Sequence, residues 1–177
     1  MGLFFSFITV KGVNKHMDGK NSFRKWTDMC GMAVSIPGEG KTVGTVEDFY
    51  FDTGSNEVYA LYVKVGVYGY RALTSNAIST VERDAVTIAN DQMLINPDHD
   101  GRLPVLHMGH ELLSYKVKDE RGKQLSTVSN VILATYPPVA LRVTMFELAG
   151  GRTISANEIA VYERDAIVLI AQVARRL

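Results

Sequence analysis

The chain repeats itself at a spacing of about eighty residues. The block Glu82-Arg83-Asp84-Ala85 recurs intact as Glu163-Arg164-Asp165-Ala166. Shorter matches keep the same order in both copies: Gly40-Lys41 with Gly122-Lys123, Thr45-Val46 with Thr127-Val128, Ala60-Leu61 with Ala140-Leu141, Val63 with Val143, and Asn76 and Ile78 with Asn157 and Ile159. The spacing between matched residues falls by two between the Thr45-Val46 match and the Ala60-Leu61 match, which indicates a shorter turn in the second copy. Because length changes between the copies fall in loops, the chain is expected to contain two similar supersecondary units.

Both copies read as β-strands rather than helices. In the first, a β-rich run over residues 43–51 ends at the turn formers of residues 52–56, and residues 58–65 are apolar on both faces, as in a central strand of a small barrel. Short strands follow at residues 71–73, 78–81 and 85–89, with the Glu-Arg-Asp-Ala block as the turn before the last. In the second copy Pro137-Pro138 replaces the first turn. The expected fold class is all-β, with two tandem small β-barrels and a short helical tail at residues 171–177.

A polar, turn-rich segment separates the two copies. We therefore divide the chain into an N-terminal extension at residues 1–24, a first barrel at 25–96, a linker at 97–106, a second barrel at 107–172 and a tail at 173–177. Translation starts at either Met1 or Met17, and the second choice removes most of the extension.

Charge and cysteine content exclude several classes of protein. Nineteen basic side chains balance nineteen acidic ones, so direct binding of nucleic acid, which needs a surplus of cations, is not expected. A single cysteine, Cys30, rules out an internal disulfide and fits a cytoplasmic protein. The longest apolar stretches, residues 3–10 and 166–174, are shorter than the roughly 20 residues that span a bilayer, so no transmembrane helix is expected.

The first copy resembles the PRC-barrel domain through Gly31-Met32-Ala33-Val34, Gly40-Lys41, the run from Val43 to Asp48, Phe51-Asp52, Ala60-Leu61, Asn76-Ala77-Ile78 and Asp84-Ala85-Val86. The second copy resembles it more faintly, because three positions differ: Ser126 for Gly44, Asn130 for Asp48 and Thr135 for Asp52. The family includes the cytoplasmic domain of the photosynthetic reaction-centre H subunit and the C-terminal domain of a ribosome maturation factor.

This resemblance implies one small barrel per copy, each acting as an interaction module, with no common catalytic residue. We therefore expect a non-enzymatic protein-interaction or scaffold module without a cofactor, whose two barrels pack together or dimerise. Two alternatives stay open: an accessory factor in ribosome or RNA maturation that binds a ribosomal protein, and a peripheral domain like the reaction-centre H subunit. A metal-dependent enzyme built on the linker histidines is a further alternative.

Gly44, Asp48 and Asp52 follow one another on the first long strand. A glycine inside a strand marks a bulge or a sharp barrel corner where a neighbouring backbone comes close. The two carboxylates lie four residues apart on an alternating strand and are expected on one face, either as a solvated polar rim or, in a groove, as a paired acid and base or a cation site. The polar rim is favoured because the second copy lacks both, and their charge is expected to influence the choice of partner.

Aromatic residues crowd the first copy and suggest a partner surface. Tyr68 and Tyr70 flank a glycine at a predicted loop tip beside Arg71, a mixture enriched in protein interfaces when exposed. The alternative is that these rings cap the open end of the barrel. Stacking of single-stranded nucleic acid on them is disfavoured by the zero net charge.

Three of the four histidines lie in or beside the linker: His99, His107 and His110. A metal ion needs three or four convergent ligands. The spacing of His107 and His110 brings them together on a helix but separates them on a strand, and the residues that follow suggest a strand. A solvated linker is therefore favoured over a metal site.

Overall fold

The computed structural model describes residues 22–67, 69–136 and 140–177. The N-terminal residues 1–21, Tyr68 and the predicted Pro137-Pro138 turn lie outside the described residues.

The first unit consists of short strands around one long hairpin. Its elements are β1 Ser22–Lys25, α1 Trp26–Met29, β2 Ala33–Ile36, β3 Lys41–Phe51, β4 Glu57–Lys64, β5 Tyr70–Thr74, β6 Ile78–Val81, β7 Ala85–Ile88 and β8 Leu94–Ile95. Single 3-10 turns occupy Pro37–Glu39, Ser75–Ala77 and Asp91–Met93, and two more, Pro97–His99 and Leu103–Val105, follow β8.

The second unit repeats the order of strands from β1 to β7 and then ends in a short helix instead of a further strand. It comprises β9 His107–Met108, α2 Gly109–Leu112, β10 Lys116–Lys118, β11 Gln124–Tyr136, β12 Ala140–Leu148, β13 Thr153–Ser155, β14 Ile159–Tyr162, β15 Ala166–Leu169 and α3 Ala171–Ala174, with a 3-10 turn at Ala156–Glu158. The all-β expectation and the helical tail are confirmed.

Each unit curls its strands into a half-barrel in the same way. A long antiparallel hairpin, β3–β4 or β11–β12, carries a third strand, β5 or β13, and the short strand before the hairpin pairs in parallel with the last strand, β2 with β7 and β10 with β15. The Glu-Arg-Asp-Ala block closes the turn before that last strand, where the Glu82 and Glu163 amides donate to the Ala85 and Ala166 carbonyls. The turn predicted for this block is confirmed.

The two units exchange their leading strands. β1, which begins the first unit, pairs with β11 of the second, and β9, which begins the second unit, pairs with β3 of the first. A direct contact between β4 and β12 completes one continuous sheet of fifteen strands among the described residues. Each half-barrel is therefore completed by main-chain hydrogen bonds from the other.

Matching hydrogen bonds show which positions of the two units correspond. The Gly31 amide donates to the Val46 carbonyl, and the Ser114 amide donates to the Val128 carbonyl. Gly31 and Ser114 both have left-handed backbone angles, with φ of 89° and 79°. Because that conformation is unfavourable for a residue with a side chain, Ser114 keeps it only through the surrounding contacts.

The correspondence corrects two of the sequence matches. The counterparts of Ala60-Leu61 are Met145-Phe146 and not Ala140-Leu141, and the match of Val63 changes as well. Val46 lies opposite Val63 in the first hairpin, whereas Val128 lies opposite Leu148 in the second. The structural counterpart of Val63 is therefore Leu148 and not Val143. The second hairpin is longer rather than shorter, since β11 and β12 continue for three further residue pairs beyond the first hairpin's last pair. Val143 and Leu148 are both apolar, so the sequence match alone did not decide which of them corresponds to Val63.

Gly44 lies at the sharp bend predicted for it. It pairs with Val34 beside a register shift in the β2–β3 ladder, and a Cβ at this position would lie 2.7 Å from the Lys64 carbonyl oxygen. The β10–β11 ladder has the same irregularity at Ser126. The bend is thus kept in the second unit despite the missing glycine.

The inner faces of both half-barrels form one hydrophobic cluster. At its centre Phe49 is fully buried, and the Trp26 ring packs edge-on against it at a centroid distance of 4.7 Å. Gly109 of α2 lies close to the Cδ1, Cε1 and Cζ atoms of the same ring. Tyr162 of the second unit donates a hydrogen bond of 2.8 Å to the Asn56 side chain of the first. Within the described residues, no helix is long and apolar enough to cross a membrane.

Candidate functional site

The outer face of the first hairpin carries a second, smaller hydrophobic cluster. Tyr50, Ala60 and Ala72 are buried there beneath Leu103, which belongs to the segment that crosses this face between β8 and β9. The predicted linker is therefore packed against the sheet rather than solvated along its whole length. Burial raises the pKa of Tyr50.

A polar contact holds the same segment to the sheet. The Tyr59 hydroxyl donates to the Asp100 carboxylate at 2.7 Å, and the Arg102 guanidinium lies 5.5 Å from the centroid of the Tyr59 ring. The hydrogen bond raises the pKa of Tyr59 and lowers the pKa of Asp100. The crossing segment is thus anchored at two places, by this contact and by Leu103.

Beyond the crossing segment, the end of the β4–β5 hairpin is uncovered. Tyr70 stacks on Tyr62 with the two ring planes almost parallel, at 7°, and the centroids 4.5 Å apart, while 41% of Tyr70 remains exposed. Val67, in the turn, is 87% exposed. We call Val67, Tyr70 and Arg71 the hairpin tip. Tyr68 of the predicted surface lies outside the described residues, whereas Tyr70 and Arg71 are where the sequence placed them, at a loop end. The rings of Tyr50 and Tyr62 belong to the smaller hydrophobic cluster beneath the crossing segment.

An open groove of about 740 Å³ adjoins the hairpin tip, and we call it the first groove. Its apolar lining comes from the side chains of Val43, Val65 and Leu94. Its charged lining residues are Lys41, Glu47, Lys64, Arg71 and Asp91. The lining residues of the first groove come from four separate parts of the chain, so no local pattern in the sequence indicates the groove. Of these residues only Arg71 was predicted to contact a partner.

The charges around the first groove are only partly paired. Lys41 lies 4.0 Å from the Asp91 carboxylate. Lys64 and Arg71 have no carboxylate within ion-pair distance among the described residues, and the Arg71 guanidinium donates only to the main-chain oxygen of Tyr70. Glu47 also lacks an ion-pair partner in the described part of the chain. Two cations and one carboxylate are therefore free to meet a ligand.

Asp48 was expected on a solvated rim, and this expectation is wrong. It is buried, its carboxylate accepts hydrogen bonds from the main-chain N–H groups of Phe49 and His110 at 2.8 and 3.1 Å, and it contacts the His110 ring nitrogen Nδ1. Two-thirds of the His110 side chain is exposed. The strand bulges just before Asp48, so its side chain turns toward α2. The partner is 62 residues away in sequence, and no local pattern indicates it.

Asn130 repeats this arrangement in the second unit. Its side-chain oxygen accepts from the Val131 amide and its side-chain nitrogen donates to the Thr27 hydroxyl of α1, both at 2.9 Å. Asp48 of the first unit thus holds α2 of the second, and Asn130 of the second unit holds α1 of the first. The position is structural in both units, and only the first carries a charge.

Asp52 lies in the turn after β3. One carboxylate oxygen accepts from the Gly54 amide at 2.8 Å and the other from the Ser55 hydroxyl at 3.0 Å. These bonds stabilise the turn, as expected for an aspartate in this position. Asp48 and Asp52 have separate partners and do not form an acid–base pair.

The three linker histidines are not brought together. His99 ends a 3-10 turn, His107 belongs to β9 with its Nδ1 3.6 Å from the Glu111 carboxylate, and His110 belongs to α2, where a strand was expected. Among the described residues no group of three or more His, Cys, Asp or Glu side chains has an arrangement suited to a metal ion.

In a comparison with known protein families, one family model matches the first unit of the chain. The family model of the PRC-barrel domain matches residues 23–102, which span β1 to the crossing segment. No curated protein matches the chain. Residues 23–102 of this chain therefore form a PRC-barrel domain.

Proposed function

We propose that this PRC-barrel domain protein is a non-enzymatic interaction module that binds a protein partner through the hairpin tip. The exposure of both Val67 and Tyr70 at the end of one hairpin is the observation that carries the proposal. Aromatic side chains and arginine, here Tyr70 and Arg71, are enriched at protein interfaces. The stacking of Tyr70 on Tyr62 holds its ring in place, which reduces the entropy lost on binding.

We further propose that the second unit is a diverged PRC-barrel. The matched strand order, the parallel pairs β2–β7 and β10–β15, and the shared left-handed backbone at Gly31 and Ser114 support this assignment. In this proposal the second unit serves as a scaffold, because its β12–β13 hairpin is shorter and has no counterpart of Val67 or Tyr70.

Affinity purification from the native host, with quantification by mass spectrometry, tests the proposal. The double variant Val67→Ser/Tyr70→Ala removes the apolar surface of the hairpin tip while leaving the buried core intact. We expect the partner that copurifies with the native protein to fall at least tenfold in the double variant.

Val161→Ser is a matched control, because Val161 is 53% exposed but lies on β14 in the second unit. It should retain the partner at the native level. Equal retention by the native protein and the Val67/Tyr70 variant would reject the hairpin tip as the binding surface.

A further inference from the structure

The β4–β5 hairpin of the first unit is longer than its counterpart in the second unit, the β12–β13 hairpin. Val63 and Leu148 correspond, as do Arg71 and Arg152, since the Leu148 amide donates to the Arg152 carbonyl where Val63 pairs with Arg71. Residues 64–70 connect the first pair and residues 149–151 the second, so the first hairpin is longer by four residues. The longer connection of residues 64–70 includes Lys64, Val65 and Gly66 of the first groove, and it also carries the exposed Val67 and Tyr70.

The second unit provides an internal comparison. The groove beside the start of β11, lined by Lys123, Leu125 and Ala171 among others, has a volume of about 300 Å³, less than half that of the first groove. None of its lining residues comes from the β12–β13 hairpin. The groove of the first unit, to which the longer β4–β5 hairpin contributes, therefore has a larger volume than the groove of the second unit.

The chemistry of the first groove favours an apolar side chain flanked by carboxylates. Val43, Val65 and Leu94 provide an apolar lining, and the two unpaired cations, Lys64 and Arg71, stand at the β4–β5 side. Glu47 is the one unpaired carboxylate in the lining and forms no ion pair with either cation among the described residues, so the unpaired cations outnumber the unpaired carboxylates. An arginine matches the planar geometry of a carboxylate with two parallel donors.

We propose that the first groove binds a segment of the partner protein in which a leucine-like side chain is flanked by aspartate or glutamate. The inference rests on the proposed function and specifies the chemistry of the partner. The apolar side chain is buried against Val43, Val65 and Leu94, and its acidic neighbours pair with Lys64 and Arg71. The hairpin tip then contacts the adjacent part of the partner.

Binding of three blocked pentapeptides to the full chain, followed by two-dimensional NMR of the backbone amides, tests this. The acidic probe is acetyl-Asp-Asp-Leu-Asp-Asp-amide, and the comparison probes carry Ser at the centre or Lys in place of Asp. We expect the acidic leucine peptide to shift the amides of Val43, Val65 and Leu94 with millimolar affinity or better. The serine and lysine probes should bind at least fivefold more weakly, and added salt should weaken binding of the acidic probe.

Charge reversal at the groove locates the site. Lys64→Glu/Arg71→Glu should weaken binding of the acidic leucine peptide at least fivefold, whereas Lys123→Glu, in the smaller groove of the second unit, should leave it unchanged. Circular dichroism and the thermal midpoint of each variant establish that it is folded. Equal binding of the leucine and lysine probes, shifts at other residues, or an unaffected double variant would each overturn the inference. If the peptide fails but the native partner is still lost on Val67→Ser/Tyr70→Ala, the interaction module stands and only the groove assignment falls.

Discussion

Gly109→Ala tests whether the two units form a single cooperative core. A Cβ at Gly109 would lie 2.5 Å from Cδ1 and Cζ of Phe49, more than 1 Å inside an ordinary carbon–carbon contact of about 3.5–4.0 Å. Phe49 cannot move away easily, because it is fully buried and Trp26 packs against it at a centroid distance of 4.7 Å. The clash therefore has to be relieved by displacing core side chains or α2.

Overpacking of this kind destabilises a protein by about 1–3 kcal/mol. We expect the upper part of that range, about 2–3 kcal/mol, because the obstructing atoms belong to a ring held on both sides. For a chain of this size the thermal midpoint should fall by roughly 4–12 °C. Urea unfolding followed by circular dichroism measures the free energy of unfolding directly.

Gly101→Ala is the matched control, because a Cβ there meets nothing within 4 Å. Phe49→Leu in the Gly109→Ala background should recover part of the lost stability, since a smaller side chain makes room for the new methyl group. Gly109 and Phe49 belong to different units, so this recovery measures coupling between them. A neutral surface substitution changes the free energy of unfolding by about 0.5 kcal/mol or less. The packing argument would be refuted if the free energies of unfolding of Gly109→Ala and Gly101→Ala differed by no more than about that amount.

Gly44→Ala should destabilise by about 1–3 kcal/mol, measured by urea unfolding, because the new Cβ would meet the Lys64 carbonyl oxygen of the backbone at 2.7 Å. Tyr162→Phe should remove about 0.5–1.5 kcal/mol through the lost hydrogen bond to Asn56. Burial raises the pKa of Tyr162, so its contribution is complete below the ordinary tyrosine pKa of about 10 and declines as the pH rises further; unfolding curves of the variant should lose less stability above that pH than the native protein does. Asp48→Asn should cost less stability than Asp48→Ala in thermal melts, because the amide oxygen still accepts the neighbouring main-chain N–H.

The sequence was sufficient to predict the β-structure, the repeated order of the main strands and the turns at the two Glu-Arg-Asp-Ala blocks. A β-rich run and a stretch that is apolar on both faces identified residues 43–51 and 58–65 as strands, and these residues lie almost entirely in β3 and β4. The Glu-Arg-Asp-Ala blocks form the predicted turns because their hydrogen bonds join residues only three apart. Gly44 marked a bend for the same local reason. These features depend on a few neighbouring residues, so a single sequence contains the information.

Tertiary structure alone decided which strands pair across the repeat and where the site lies. β1 and β9 are exchanged between the units through long-range strand pairing. In the second hairpin Val128 lies opposite Leu148 and not Val143; both are apolar, so the sequence alone did not decide between them. Asp48 is buried because α2, more than sixty residues away, supplies its partner His110. The first groove likewise combines β3, β4, β5 and the segment after β7, and only long-range pairing brings those four parts of the chain together.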